Sequence, residues 1–329
     1  MIDQQLVVCH RSNLREFCGR LIRFLATLML LVGVTGMRTA QALEPLATTS
    51  VAPGVYVHFG RAEISGPGNA GDVANLGFVV GNRCIAVIDT GSTKALGDRL
   101  LRSIRQVSPL PVCYVINTHA HPDHILGNQA FVGESSEFVG HRNLARAIAT
   151  KGPVYLNAIA RDLKQLADGT VLVKPTISVD QRTELDLGGR HLIVRAWPVA
   201  HTDADVTVQD MQTKTLFLGD LSFAGHLPAL DGSLLGWIET TDQLAKLDAQ
   251  RAVPGHGPMM TAPPWSAILN KQRQYLEALR DDVRAAIRDG KMLSEAVDAV
   301  RTGALDKWLL YDEFHQRNVT AAFAELEWE

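Results

Sequence analysis

Cysteine is scarce in this sequence and never closely spaced. Of 329 residues only Cys9, Cys18, Cys84 and Cys113 are cysteines, and without a C-x-x-C pair nothing points to a zinc knuckle or a dithiol redox motif. Basic charge is not in excess either: 32 Lys and Arg stand against 35 Asp and Glu, a formal charge of −3. A nucleic-acid partner would need a clustered basic face, so the balance argues against that class. Long apolar runs are missing as well. The run Phe24–Val34, FLATLMLLVGV, is about eleven residues long, whereas roughly 20 are needed to cross about 30 Å of hydrocarbon as a helix. No internal repeat, low-complexity tract or Pro/Ser-rich linker divides the chain. With 46% hydrophobic and 20% charged residues, the composition is that of a globular protein able to bury a sizeable core.

What is present begins with a leader. Arg11, Arg15, Arg20 and Arg23 precede the apolar run, and Ala40-Gln41-Ala42 follows it, the order of a secretory signal peptide with an A-x-A cleavage site. An uncleaved anchor is the competing reading, and the shortness of the run weighs against it. The expectation is therefore a cleaved segment 1–42 and a single domain 43–329, helical from about residue 264, exported to a periplasm, with no membrane span in the mature chain. The leader carries five Arg and two acidic residues, so its removal takes the net charge from −3 to −6. Cys9 and Cys18 leave with it. Export would permit a disulfide between Cys84 and Cys113, but adjacent parallel strands rarely give the required Cβ geometry, so buried free thiols are expected.

Short β-type runs follow Pro45: GVYVHFGRAEI (54–64), the Gly-rich loop SGPGNAGD (65–72), then LGFVVG and CIAVIDTG. STKALGDRLLRSIRQV (92–107) has helical apolar spacing, an N-cap at Ser92 and a stop at Pro109. Strand VCYVI comes next, completing a β-α-β unit. FVGHRNLARAIAT reads as strand into helix and 152–168 as a mixed stretch. LIVRAWPVAH, DVTVQD and KTLFLGD read as further strands, and LNKQRQYLEALRDDVRAAI is the clearest amphipathic helix.

The chemistry lies in NTHAHPDHILGN (117–128), directly after VCYVI, at a strand's carboxyl end, where open α/β sheets place ligands. His119 and His121 alternate along an extended segment and can face one ion. Pro122 turns the chain, so Asp123 and His124 can face a second. A further nitrogen ligand for each would come from His201 in VAHTDAD and His256 in PGHGP, where Gly255 and Gly257 allow close backbone approach. Asp220 in LFLGD has two carboxylate oxygens and can bridge cations about 3.5–4 Å apart. Imidazole and carboxylate ligands without thiolate suit two Zn²⁺, with Fe or Mn as alternatives.

These motifs, THAHPDH, AHTDAD, FLGD and PGHG together with AVIDTG (86–91), resemble the five motifs of the metallo-β-lactamase superfamily, in order and across essentially the whole mature chain. The resemblance implies an α/β fold, a four-layer αββα sandwich with the metals at one edge of two sheets. It implies one metal held by His119, His121 and His201, the other by Asp123, His124 and His256, with Asp220 bridging and Asp89 orienting the histidine loop. True metallo-β-lactamases generally have cysteine or serine near Gly219-Asp220, so the bridging aspartate follows the glyoxalase II-like pattern. GNAGDVANLGFVVG, LPVCYVINTHAHPDHILGN, FVGHRNLARA and DGSLLGWIETTDQL are similar to the exported zinc metallohydrolases of quinoprotein relay systems, related to SoxH. That narrower likeness implies a periplasmic quinoprotein dehydrogenase pathway as partner.

Two dications lower the pKa of a shared water to about 7, so a hydroxide that attacks an ester, thioester or lactam-type bond is the expected chemistry. Asp123 is placed to hold the nucleophile's proton, and His226 to donate to a developing oxyanion. Competing readings are a mononuclear iron persulfide dioxygenase, which shares the fold and most of these ligands, a β-lactamase, and a non-catalytic partner of a dehydrogenase. Tyr155 and Asn157 read as exposed polar residues of an irregular segment, and SGPGNAGD as a hairpin turn. His141 reads as structural, Asp203 and Asp205 as turn formers or partners of His201, and Trp237, Trp308, Tyr311 and Phe314 as core or docking aromatics.

Overall fold

The computed structural model describes residues 44–261, 265–302 and 307–329. The expected signal peptide lies outside the described residues. Pro45–Glu329 cluster as one unit, built of two sheets. The first holds seven strands in the order β1 (Thr49–Ala52), β2 (Val55–His58), β3 (Leu76–Val80), β4 (Ile85–Ile88), β5 (Val112–Ile116), β6 (Glu137–His141) and β7 (Ile177–Val179). Pairing is antiparallel from β1 to β4 and parallel from β4 to β7. The second sheet runs β12 (Arg251–His256), β11 (Thr215–Phe223), β10 (Val206–Asp210), β9 (His191–Ala196), β8 (Arg182–Asp186), with only β11–β12 parallel.

The sheets bury one face each against the other, Val57, Val79, Ile88 and Val139 meeting Leu192, Val194, Val208 and Phe217. On the outer face of the first sheet, Phe78, Val87 and Val115 pack on α1 (Lys94–Val107) through Leu96, Leu100 and Ile104. On the outer face of the second, Leu216 and Leu218 pack on the helices α4 (Leu234–Leu244), α5 (Ala267–Arg288), α6 (Leu293–Ala299) and α7 (Tyr311–Leu326). The result is the four-layer αββα sandwich, with helical structure from Ala267 onward. Among the described residues no helix is long and apolar enough to cross a membrane.

Several local expectations change. The 54–64 run is a strand only to His58. Helix α1 begins one residue late, because Thr93 rather than Ser92 is the N-cap and its hydroxyl accepts from Leu96 N, while Ser92 Oγ donates to Gly71 O. The stretch read as mixed from 152 is helix α3, Leu144–Leu163, running through Pro153. A proline inside a helix costs about 3 kcal/mol or more. Here Leu144, Ala147, Ile148, Ile159 and Leu163 offset it by burying one face against Ile125 and Leu126.

Cys84 and Cys113 are not free: they form a disulfide with Cα atoms 5.7 Å apart, inside the normal range. The expectation assumed a regular parallel ladder, and the ladder is irregular at this point. Ile85 pairs with Val112 but Ala86 with Tyr114, so Cys113 is a bulged residue with no strand partner, free to turn toward Cys84.

Candidate metal centre

The 117–128 stretch follows β5 and is tied off at its own ends: Asn117 Nδ2 donates to Asn128 Oδ1 at 3.1 Å and Asn128 Nδ2 to Asn117 Oδ1 at 2.7 Å. Pro122 starts a one-turn helix, α2 (Pro122–Ile125), with His121 as N-cap, which is the expected turn between the two ligand pairs. His201 lies in the β9–β10 connection and His256 ends β12. Asp220 sits inside β11 rather than at its end, where the β11–β12 register breaks on either side of Gly219. Gly255 is required there, because a Cβ would overlap the Asp220 carboxylate, and at Gly257 (φ +88°) a Cβ would overlap Ala224 O.

All seven expected ligands converge. His119, His121, His201 and Asp220 form one group and Asp123, His124 and His256 another, with the ligand atoms of each group within 4.8 Å of one another. Asp220 lies between the two. Its Oδ2 is 3.7 Å from His119 Nε2, 3.5 Å from His201 Nε2 and 3.4 Å from His256 Nε2, while Oδ1 is 3.2 Å from His124 Nε2. Asp123 Oδ2 is 3.3 Å from His256 Nε2 and 3.5 Å from His124 Nε2.

Each ring is held from behind. His124 Nδ1 donates to Asp89 Oδ2 (2.8 Å), His201 Nδ1 to Ala229 O (2.7 Å) and His256 Nδ1 to Val73 O (2.9 Å). Thr118 Oγ1 is 3.1 Å from His119 Nδ1 and donates to Asp89 Oδ2 at 2.7 Å, while Thr118 N donates to Asp89 Oδ1 at 2.8 Å. These four rings turn Nε2 inward. His121 is reversed, donating Nε2–H to Asp231 Oδ2 (3.0 Å) and presenting Nδ1, 3.0 Å from His201 Nε2.

A cation fits this arrangement. Three buried atoms at its heart, His119 Nε2, His124 Nε2 and Asp220 Oδ1, have no hydrogen-bond partner, a costly state for polar atoms in a buried position. The electrostatics point the same way. Burial and the neighbouring His124 push His119 well below the ordinary histidine value, and burial and His121 take His201 to about 3. Burial opposes charge on His256 and His124 too, but the carboxylates outweigh it, raising His256 to about 10 and His124 well above normal. Asp220 and Asp123 are held well below the usual carboxylate range, the imidazoles outweighing their burial. One buried and one partly buried carboxylate, Asp220 and Asp123, thus demand positive charge, and protons supply it wherever no metal does.

The family model described as the metallo-β-lactamase superfamily matches residues 70–256, more than half of the chain. The chain belongs to the metallo-β-lactamase superfamily. Among curated proteins, a linear primary-alkylsulfatase from Pseudomonas sp. (strain ATCC 19151) is 38% identical over 50 residues, 15% of this chain and 10% of that protein. The inverting sec-alkylsulfatase Pisa1 from Pseudomonas sp. superposes with a TM-score of 0.68 at 17% identity, over 85% of this chain and 50% of that one. A metallo-β-lactamase from Pontibacter korlensis gives 0.57 at 23% identity, over 70% and 99%. The chain therefore spans about half the length of the alkylsulfatase structure it resembles, and at these identities the structural likenesses speak for the metallo-β-lactamase fold alone.

A cleft of about 710 Å³ opens over the centre, with Ile64, Val154, Ile159, Phe223, Leu230 and Phe314 among its walls. Tyr155 belongs to it, on α3 rather than an irregular segment, with its ring 6.5 Å from that of His121. Asn157 is exposed and does not line it. The 65–72 loop does join the antiparallel strands β2 and β3, but its start, Ser65, lines the cleft. Phe314 is a cleft residue, 5.0 Å from the His226 ring, whereas Trp237 and Trp308 are core. Asp205 is a turn former, accepting from Thr202 N and Oγ1, and Asp203 pairs with Arg146; His201 takes its partner from Ala229 instead. His141 closes β6 by accepting from Asn143 N, as a structural histidine would.

His226 lines the cleft, stacked on His256 at 5.4 Å, but its expected role as a donor does not suit its tautomer. Nδ1–H goes to Leu227 O at 2.7 Å, and burial, then His256, hold its pKa at about 4. The neutral ring's Nε2 is thus an acceptor. Three holding residues carry no mark in the sequence. Asp231 binds His121 and accepts from Lys151 Nζ at 2.5 Å. Asn75 grips the PGHG turn through Pro254 O and Gly257 O. Asn318 is the third.

Proposed function

We propose that this protein is an exported dinuclear zinc hydrolase that cleaves an ester, thioester or lactam-type bond. The observation that carries the reading is the pair of adjacent, complete ligand groups with Asp220 between them. His119, His121 and His201 would hold one ion, Asp123, His124 and His256 the other, and Asp220 would contact both. Zinc bound there supplies Lewis acidity and makes water a competent nucleophile near neutral pH.

The chain's own groups do the rest. Asp123 Oδ2, close to two imidazoles, is positioned to hold a proton taken from the attacking water. The apolar walls suit a substrate with an apolar body and exclude bulk water around it. His226 offers a lone pair at the cleft wall rather than an oxyanion donor.

Export is supported by the leader composition and by the Cys84–Cys113 disulfide, a bond typical of oxidising compartments. Membership of the quinoprotein relay and SoxH-related group, with a periplasmic dehydrogenase pathway as its setting, is supported by the motifs quoted for it.

Metal quantification of the purified protein, coupled to a panel of carboxylic ester, sulfate ester, thioester, lactam and phosphoester substrates, tests the reading. About two zinc per chain and metal-dependent turnover are expected, with turnover abolished in His121→Ala and Asp220→Ala. One iron per chain with oxygen uptake would overturn it in favour of a dioxygenase.

A further inference from the structure

Asn318 lies on α7 with 1% of its surface exposed, and its amide is fully engaged. Oδ1 accepts from Leu230 N at 2.9 Å, and Nδ2 donates to Pro228 O at 2.7 Å and to the Tyr275 hydroxyl at 2.9 Å. Tyr275 in turn donates to His315 Nδ1 at 3.1 Å, and His315 Nε2–H to Val300 O at 3.1 Å. Two turns further along the same helix face, Glu325 accepts from Ser233 Oγ at 2.6 Å and from Leu234 N at 2.6 Å. Helix α7 therefore grips the segment 228–234 at both ends.

That segment contributes none of the seven ligands, yet it holds two of them. Ala229 O receives His201 Nδ1–H, and the Asp231 carboxylate receives His121 Nε2–H. Its backbone also runs along the His201 turn, Asp231 N donating to His201 O at 3.2 Å and Ser233 N to Ala200 O at 2.9 Å. The ring angles of His121 and His201 are thus set by a segment whose own place is set by α7. The other half of the centre has different anchors: Asp89 for His124 and Val73 O for His256.

We infer that Asn318 and Glu325 are positioning residues for the His119/His121/His201/Asp220 half of the centre, acting through segment 228–234. This rests on the proposed zinc-binding role of the site. Its signature is one-sidedness, which a general loosening of the fold would not produce.

The experiment is a stepwise zinc titration against a chromophoric chelator on wild type, Asn318→Ala, Glu325→Gln and Val319→Ala, with His121→Ala identifying which ion belongs to which half. Loss of a group bonded directly to a metal ligand weakens binding by about 10–100-fold; Asn318 acts one contact further back, so Asn318→Ala should lose about 10-fold for the His121 ion while the other stays within about two-fold. Glu325→Gln should show a smaller loss at the same ion. Val319 is buried on the same helix with no polar tie to the segment, so Val319→Ala should lower the melting temperature and leave both affinities intact. In metal-free Asn318→Ala, the Leu230 amide should exchange faster than in wild type. Two unaltered affinities in Asn318→Ala, equal weakening of both ions, or the same one-sided loss in Val319→Ala would overturn the inference while leaving the dinuclear reading standing. A wild-type protein that takes up no zinc would overturn both.

Discussion

Replacing Asp89 with asparagine should cost the protein its metal more than its fold. Asp89 is 2% exposed and receives three hydrogen bonds, Thr118 N at 2.8 Å, Thr118 Oγ1 at 2.7 Å and His124 Nδ1 at 2.8 Å. Alanine would strand all three buried donors at about 1–3 kcal/mol each. It would also sit at φ +58°, which adds about 1–2 kcal/mol. Together these approach the 5–15 kcal/mol that holds a typical domain folded, so that variant would mix folding with function. Asparagine tolerates the left-handed conformation and keeps an oxygen for Thr118 N. What it changes is Oδ2, which faces both His124 Nδ1 and Thr118 Oγ1, from an acceptor to an N–H donor. The ring can answer only by moving its proton from Nδ1 to Nε2, and Nε2 is the nitrogen that faces Asp220 and Asp123. A protonated nitrogen cannot bind zinc.

The expected result for Asp89→Asn is a zinc affinity lower by about 10–100-fold, equivalent to about 1.4–2.7 kcal/mol, for the ion that Asp123, His124 and His256 would hold, with a smaller loss at the other through Thr118 and His119. Stability should fall by about 1–3 kcal/mol. Chelator competition gives the affinities and urea unfolding the stability. If the variant binds both ions as tightly as wild type, the Asp89 carboxylate does not set the His124 tautomer, and the account of the ring anchors is wrong.

Acid should loosen the C-terminal helices before it reaches the carboxylates. Burial holds the His315 pKa below the ordinary value, so the unfolded chain binds the extra proton more readily. The His315 contribution is therefore complete above about pH 6.5 and declines as pH falls below it, a slope that urea midpoints between pH 7.5 and 5 should show and that His315→Gln should shrink. Opening the Cys84–Cys113 bond, 29 residues apart in sequence, should cost about 3–4 kcal/mol of stability by the loop-entropy relation. A Cys84→Ser/Cys113→Ser double variant with an unchanged urea midpoint would contradict that.

The convergence of the seven candidate ligands was legible because ligand chemistry is carried by side-chain type and spacing: a His-x-His-x-Asp-His run after a strand, and lone His or Asp residues beside glycines. The anchors behind them were not. Val73 O and Ala229 O are backbone carbonyls, which any residue provides, and Asp231 and Asn318 stand among ordinary loop and helix residues with no periodic mark. The disulfide was missed because a one-residue bulge at Cys113 alters the geometry without altering the strand pattern. Pro153 hid half a helix, since its local penalty is visible in sequence and the burial that outweighs it is not.

The anchors divide the centre by origin in the chain. The Asp123/His124/His256 half is fixed by Asp89 after β4 and by the 73–75 segment before β3, where Asn75 ties the PGHG turn down: its backbone N reaches Gly255 O at 2.7 Å while its amide holds Pro254 O and Gly257 O. The His121/His201 pair is fixed by segment 228–234 and, behind it, by the C-terminal helix. Asp220, on the irregular middle of β11, is the common member. The two ions would therefore answer to different parts of the protein: changes in the N-terminal strands reach one, and changes in the C-terminal helices reach the other. Asp220, the 117–128 loop, which contributes to both groups, and Asp89, which holds His124 directly and His119 through Thr118, would carry a perturbation across.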